Sequence, residues 1–70
     1  MNYLKQRMYK DFDVIKAKTD INMVVQKDCI GVILAIYGEP AKNFLIEFVD
    51  KNNNKLDLIT VEAEQIELKD

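Results

Sequence analysis

Apolar and polar residues alternate with a period of two along most of this chain. The clearest case runs from Asn43 to Val49. Phe44, Ile46 and Phe48 fall on one side and Leu45, Glu47 and Val49 on the other. Successive side chains of a strand point to opposite faces, so this spacing predicts a strand whose aromatic face is core. Lys55 to Val61 reads as the strand that returns beside it. Between them lies Asp50-Lys51-Asn52-Asn53-Asn54. Asn tolerates the positive φ that tight turns need, so three in a row predict a hairpin loop.

The most apolar run is Cys29 to Tyr37, CIGVILAIY. It carries no polar face, as expected of a strand buried on both sides or bent round a barrel. Gly31 inside it predicts a bulge or sharp bend. Gly38-Glu39-Pro40 ends it, because proline removes a ladder donor. Upstream, Phe12, Val14 and Lys16 alternate with Asp13, Ile15 and Ala17, which predicts another strand. Thr19 to Asn22 reads as a turn, Met23 to Gln26 as a short extended stretch, and Lys27-Asp28 as a second turn. Near the end, Glu62 to Gln65 breaks the alternation and is short enough for one 3₁₀ turn. Ile66 to Leu68 is a last short strand. Leu4, Met8 and Phe12 recur every four residues, so residues 1–10 read as a short helix or an arm. Five short strands with closely spaced turn signals predict a small all-β barrel over residues 11–70. Closing the sheet would also protect strands this apolar from pairing with other chains.

Composition narrows the class. Seventy residues make room for one core, and 49% apolar residues are too many for a disordered chain. A single cysteine excludes an internal disulfide, and Cys29 within its apolar run reads as a small buried hydrophobe. The longest apolar run is nine residues, short of the ~20 needed for a membrane-spanning helix. No stretch reads as a signal peptide. With the lone thiol, this predicts a cytoplasmic protein without membrane association.

The residue inventory speaks against catalysis. The chain has no His, Ser or Trp, and its only Thr residues are Thr19 and Thr60. Nucleophilic triads and dyads therefore lack their parts. Two glycines do not make a phosphate-cradling loop, no metal-ligand spacing occurs, and no cofactor is implied. Glu47 and Asp57 lie on adjacent strands of the predicted hairpin. Two carboxylates on a sheet are usually a solvated face, and nothing here supplies a pocket to raise a pKa.

Charge suggests binding instead. Residues 1–35 carry six basic and four acidic side chains, a balance of +2; residues 36–70 carry four basic and eight acidic, a balance of −4. Glu47, Asp57, Glu62, Glu64 and Glu67 all belong to the acidic half, interleaved with Leu45 and Val49. The plain reading is ordinary surface charge on a barrel whose twist half-buries both faces. The functional reading is an acidic, partly apolar patch that docks on a cationic protein. Tyr37 closes the most apolar strand, where it serves either the rim of the core or an interface. Nucleic acid is a poor electrostatic match for this half. The only basic cluster is Lys5, Arg7, Lys10, Lys16, Lys18 and Lys27 in the other half.

Three blocks carry a resemblance. After Asp13-Val14-Ile15, they are Cys29 to Tyr37, then Phe44-Leu45-Ile46-Glu47-Phe48-Val49-Asp50, then Leu58-Ile59-Thr60-Val61 followed by Gln65-Ile66. In this order, and spanning Asp11 to Leu68, the chain resembles a family of small bacterial SH3-like barrels known only as a domain of unknown function. That family reads roughly "IGTVV.VY", "YEVEFVD" and "TV….QI". Here Val32 stands where Thr is usual, and Phe44 and Leu45 stand where Tyr and Glu are usual. The resemblance implies a five-stranded SH3-like barrel and no activity. Similar barrels include nucleic-acid-binding KOW-type modules and a nitrile hydratase subunit, and small acidic members resemble immunity proteins encoded beside bacterial toxins. Fold alone does not choose among these. Acidity makes an immunity protein or antitoxin against a basic toxin, such as a nuclease, the leading expectation. An accessory barrel that packs on a larger partner or self-associates comes next, and a KOW-like module third.

Overall fold

Phe44, Ile46 and Phe48 are all buried, and the strand they punctuate spans Asn43–Val49, as the alternation predicts. In the computed structural model, which describes residues 9–38 and 42–69, this is the third of five strands. The strands are β1 (Val14–Ala17), β2 (Ile30–Tyr37), β3 (Asn43–Val49), β4 (Lys55–Glu62) and β5 (Ile66–Leu68). They form one antiparallel sheet in the order β4-β3-β2-β1-β5. The chain is therefore mostly β. A 3₁₀ turn over Ala63–Gln65 joins the two edge strands, and the Glu62 N–H donates to Gln65 Oε1 at 2.8 Å within it. Among the described residues no strand pairing links β4 to β5, so the sheet is open in its hydrogen bonding. The helix or arm expected at residues 1–10 lies almost wholly outside the described residues, as do Glu39 and Pro40.

The register explains the core. Residues opposite one another in an antiparallel pair share a face. Leu68, Ile15, Gly31, Phe48 and Asp57 form one row across all five strands. Ile33, Ile46 and Ile59 form a second, and Ile36, Phe44 and Val61 a third. Ala17 and Ile66 complete the buried set on this inner face. Tyr9 covers it from the N-terminal side. Its ring meets that of Phe44 edge-on at 5.0 Å, and its hydroxyl donates to the Ile66 carbonyl at 3.3 Å. One side chain thus touches both β3 and β5, which requires the sheet to curl. Cys29 is half-buried and packs on the core, close to the expected small hydrophobe.

Three expectations need correction. Gly31 is not at the bulge. The β2–β3 register shifts between Ile33 and Ala35, at Leu34, which re-phases the strand so that Ile36 faces inward opposite Phe44. Gly31 serves close packing instead: a Cβ there would lie 2.6 Å from Ile46 Cγ2, 3.0 Å from Phe48 Cδ1 and 3.1 Å from the Glu47 carbonyl oxygen. Met23 to Gln26 is not extended, because Asn22 folds this stretch into a compact loop described below. Phe12 does not belong to the first strand. Its φ is 70° and its side chain is exposed, so regular pairing starts at Val14.

The Asn-rich hairpin forms as expected. The Asp50 N–H donates to the Asn54 carbonyl at 2.8 Å, and Asn53 takes a φ of 67°. Asp50 Oδ1 accepts from the N–H groups of Asn52 at 2.8 Å and Asn54 at 2.9 Å. These bonds, that of Asn54 first, hold the Asp50 carboxyl below its ordinary value of 3.8. The unfolded chain then protonates first on acidification. The stability this group contributes is full above pH 3.8 and disappears as pH falls through the lower folded value. Asp50→Asn should melt below the parent at pH 6, and the gap should close in acid below the ordinary carboxylate range. Paired thermal melts across that pH range check this.

Candidate protein-binding surface

The face opposite the core is built from the residues that alternate with it. Leu58, Glu47, Val32 and Val14 lie side by side across β4, β3, β2 and β1. A second row runs Lys55, Val49, Ile30, Lys16 and Glu67. Thr60 and Leu45 with Ala35 form a third, and Glu62, Asn43 and Tyr37 a fourth. Val14 and Leu58 are each 43% exposed, and Val32, Ile30, Val49 and Leu45 are half-buried. The middle of the outer face is therefore an apolar band with half-buried Glu47 inside it, flanked by Lys16 and Lys55.

Most of the residues expected at an interface reach this face. Leu45, Glu47 and Val49 occupy it along β3, Tyr37 stands at the end of β2, and Glu62 at the end of β4. Glu67 lies on it too, paired with Lys16 at 3.6 Å. An exposed pair of this kind stabilises by at most about 1 kcal/mol. Glu64, on the 3₁₀ turn, joins Glu62, Lys42 and Asn43 around a shallow open groove of about 360 Å³. Glu47 and Asp57 are not brought together. Glu47 lies opposite Leu58 on the outer face, whereas Asp57 lies opposite Phe48 in the inner row. A register shift in β4 between the partners of Phe48 and Val49 draws Leu56 toward the core and leaves Leu58 outside.

Sequence reasoning missed Val14, Ile30 and Val32 as outer-face residues; on β4 it left open whether Leu56 and Leu58 or Ile59 and Val61 face outward, and the register puts Leu58 outside and Leu56 against the core. The doubly apolar run of β2 was the available signal for Ile30 and Val32. Nothing marked which face of the first strand was inward until Ile15 and Ala17 proved buried. Among the described residues, no three carboxylate or thiol groups gather as a metal site, and no helix is long and apolar enough to cross a membrane. No protein-family model, curated protein or solved structure matches this chain.

Proposed function

We propose that this chain is a small SH3-like barrel that binds and neutralises a basic protein, in the manner of an immunity protein or antitoxin. The fold reading is supported by the strand order, with β5 beside β1 and a three-residue turn joining the two edges. It is supported also by the curl that lets Tyr9 touch β3 and β5. The observation that carries the function is the outer-face row Leu58–Glu47–Val32–Val14. It sets a carboxylate within apolar area at the middle of the sheet. Interface cores combine desolvated apolar area with a few aimed polar groups. A cationic side chain inserted at Glu47 would lose water but gain a charge-assisted hydrogen bond. Glu62 and Glu64 would add steering at the rim. A toxin that attacks nucleic acid must present positive charge to phosphates, and occupying that surface blocks it.

The test is a tagged pull-down from the native host, followed by expression of the captured protein alone and together with this chain. A basic protein that arrests growth alone, and is tolerated when co-expressed, is the expected result. Glu47→Lys and Leu58→Lys should each weaken capture by about tenfold or more without unfolding the domain. Retention on nucleic acid at physiological salt, self-association through Leu58, or capture indifferent to both substitutions would each count against the proposal.

A further inference from the structure

β4 ends the sheet, so every second residue along it turns its N–H and carbonyl away from β3. An unpaired edge of eight residues is a template for another strand. On β4 this edge is not bare. The Leu58 N–H donates to Asp57 Oδ1 at 2.9 Å, and the Glu62 N–H to Gln65 Oε1 at 2.8 Å. Leu58 and Glu62 lie four residues apart, so they share the free edge, with exposed Thr60 between them. The Asp57 cap is held in place from the loop between β1 and β2. Asn22 Nδ2 donates to Asp57 Oδ2 at 3.2 Å, while Asn22 Oδ1 accepts from the Val24 N–H at 2.8 Å and the Val25 N–H at 2.7 Å. Asp57 also sets a charge in the inner row opposite Phe48, which a strand added alongside would have to cover. The other edge is treated alike. β5 is three residues long, and the bonds of Lys18 N–H to the Gln65 carbonyl and of Lys69 N–H to the Val14 carbonyl leave Ile66 facing out. The Ile66 N–H donates to the Ala63 carbonyl, and its own carbonyl accepts from the Tyr9 hydroxyl.

The spacing of the caps on β4 identifies the strand they exclude. Residues that face one another across an antiparallel pair exchange two N–H···O=C bonds. Pairing β4 with β4 of a second copy about a two-fold axis at Thr60 sets Thr60 against Thr60 and Leu58 against Glu62. All bonds of that register except those of Thr60 draw their donors from Leu58 and Glu62. Those are the two N–H groups already taken. At these donors self-pairing would break one bond for each that it makes, with no net gain. The same seam would join exposed Leu58 of each copy to the apolar band of the other, so a bare edge here would be adhesive. We infer that the β4 edge is a self-pairing surface held shut by the side chains of Asp57 and Gln65, with Asn22 as the residue that positions the Asp57 cap. The chain is thereby kept monomeric although its sheet is open. The inference concerns the edge alone, and it stands whether or not the outer face binds a basic protein.

The experiment is size-exclusion chromatography with light scattering on the full chain over a range of concentrations. The parent should stay monomeric. Asp57→Ala with Gln65→Ala should self-associate at least about tenfold more tightly, as a dimer. Adding Thr60→Pro should return that variant to a monomer, because it removes the donor at the two-fold centre from an edge that tolerates proline. Asn22→Ala alone should fall between parent and double variant. Amide exchange in the parent needs no substitution and decides the matter even where the double variant fails to fold. The Leu58 and Glu62 amides should exchange at least about tenfold more slowly than the Thr60 amide on the same edge. The inference is overturned by a parent that dimerises through β4, by a folded double variant that stays monomeric, or by a dimer that survives Thr60→Pro. Fibres in place of a dimer would overturn the two-fold register, and a Leu58 amide that exchanges as fast as that of Thr60 would overturn the cap.

Discussion

Phe48→Ala is expected to leave a large share of the chain unfolded at 25 °C. Phe48 is fully buried and belongs to the row Leu68–Ile15–Gly31–Phe48–Asp57, the one inner row that crosses every strand. Truncating a buried phenylalanine costs about 3–5 kcal/mol, because the cavity adds to the lost transfer energy. At about 0.05–0.15 kcal/mol per residue, a 70-residue domain has only about 3.5–10 kcal/mol in total. Gly31 beside it has no side chain to move into the cavity, so relaxation is limited. Urea titration followed by circular dichroism should show a midpoint near zero denaturant or a lost transition. A parent-like midpoint would mean that the core lies elsewhere.

Gly31→Ala is the second large effect, and it acts in the opposite sense, by overfilling. The added methyl would meet Ile46 Cγ2 at 2.6 Å, a distance that forces movement. Phe48 on the other side and the Glu47 carbonyl leave little room to give way. Overpacking of this kind costs about 1–3 kcal/mol. Ile46→Leu removes the β-branch methyl that Gly31→Ala collides with. The double variant should therefore be more stable than the sum of the two single changes predicts, by about 0.5 kcal/mol or more. Additive losses would show that the strain falls on the backbone oxygen and not on Ile46.

These two residues show how unevenly the fold was legible. Phe48 announced itself, because Phe44, Ile46 and Phe48 alternate with a face that carries Glu47, which marks the other face as inward. The Asn-rich hairpin, the 3₁₀ turn and β5 were legible for a similar reason, since each is set by neighbours a few residues away. Gly31 was seen and misread. A glycine in a strand signals either a bulge or a close approach, and what decides is a side chain fifteen residues on, at Ile46. The bulge itself, at Leu34, falls in a run with no polar residue to mark a change of phase. Met23 to Gln26 looked extended because its residues favour strands. The competing local bonds of Asn22 to Val24 and Val25 outweigh that preference.

The candidate surface followed the same logic. Leu45, Glu47 and Val49 were readable as an outer face from the alternation alone. Asp57 was grouped with Glu47 on charge, yet one residue of register at Leu56 decides that they point to opposite sides of the sheet. Charge sums place residues in a half of the chain, whereas faces are set by pairing. That separation makes the two acids useful against each other. Glu47 belongs to the proposed docking face, and Asp57 holds the Asn22 loop.

The most direct test of that face is a chemical-shift map of the isotope-labelled chain with its captured basic partner. The largest changes should fall at Val14, Val32, Glu47 and Leu58, while the hairpin tip at Asn52 and Asn53 stays unmoved. Shifts centred on the hairpin, or on Lys18 and Lys27 with nucleic acid in place of the protein, would contradict it.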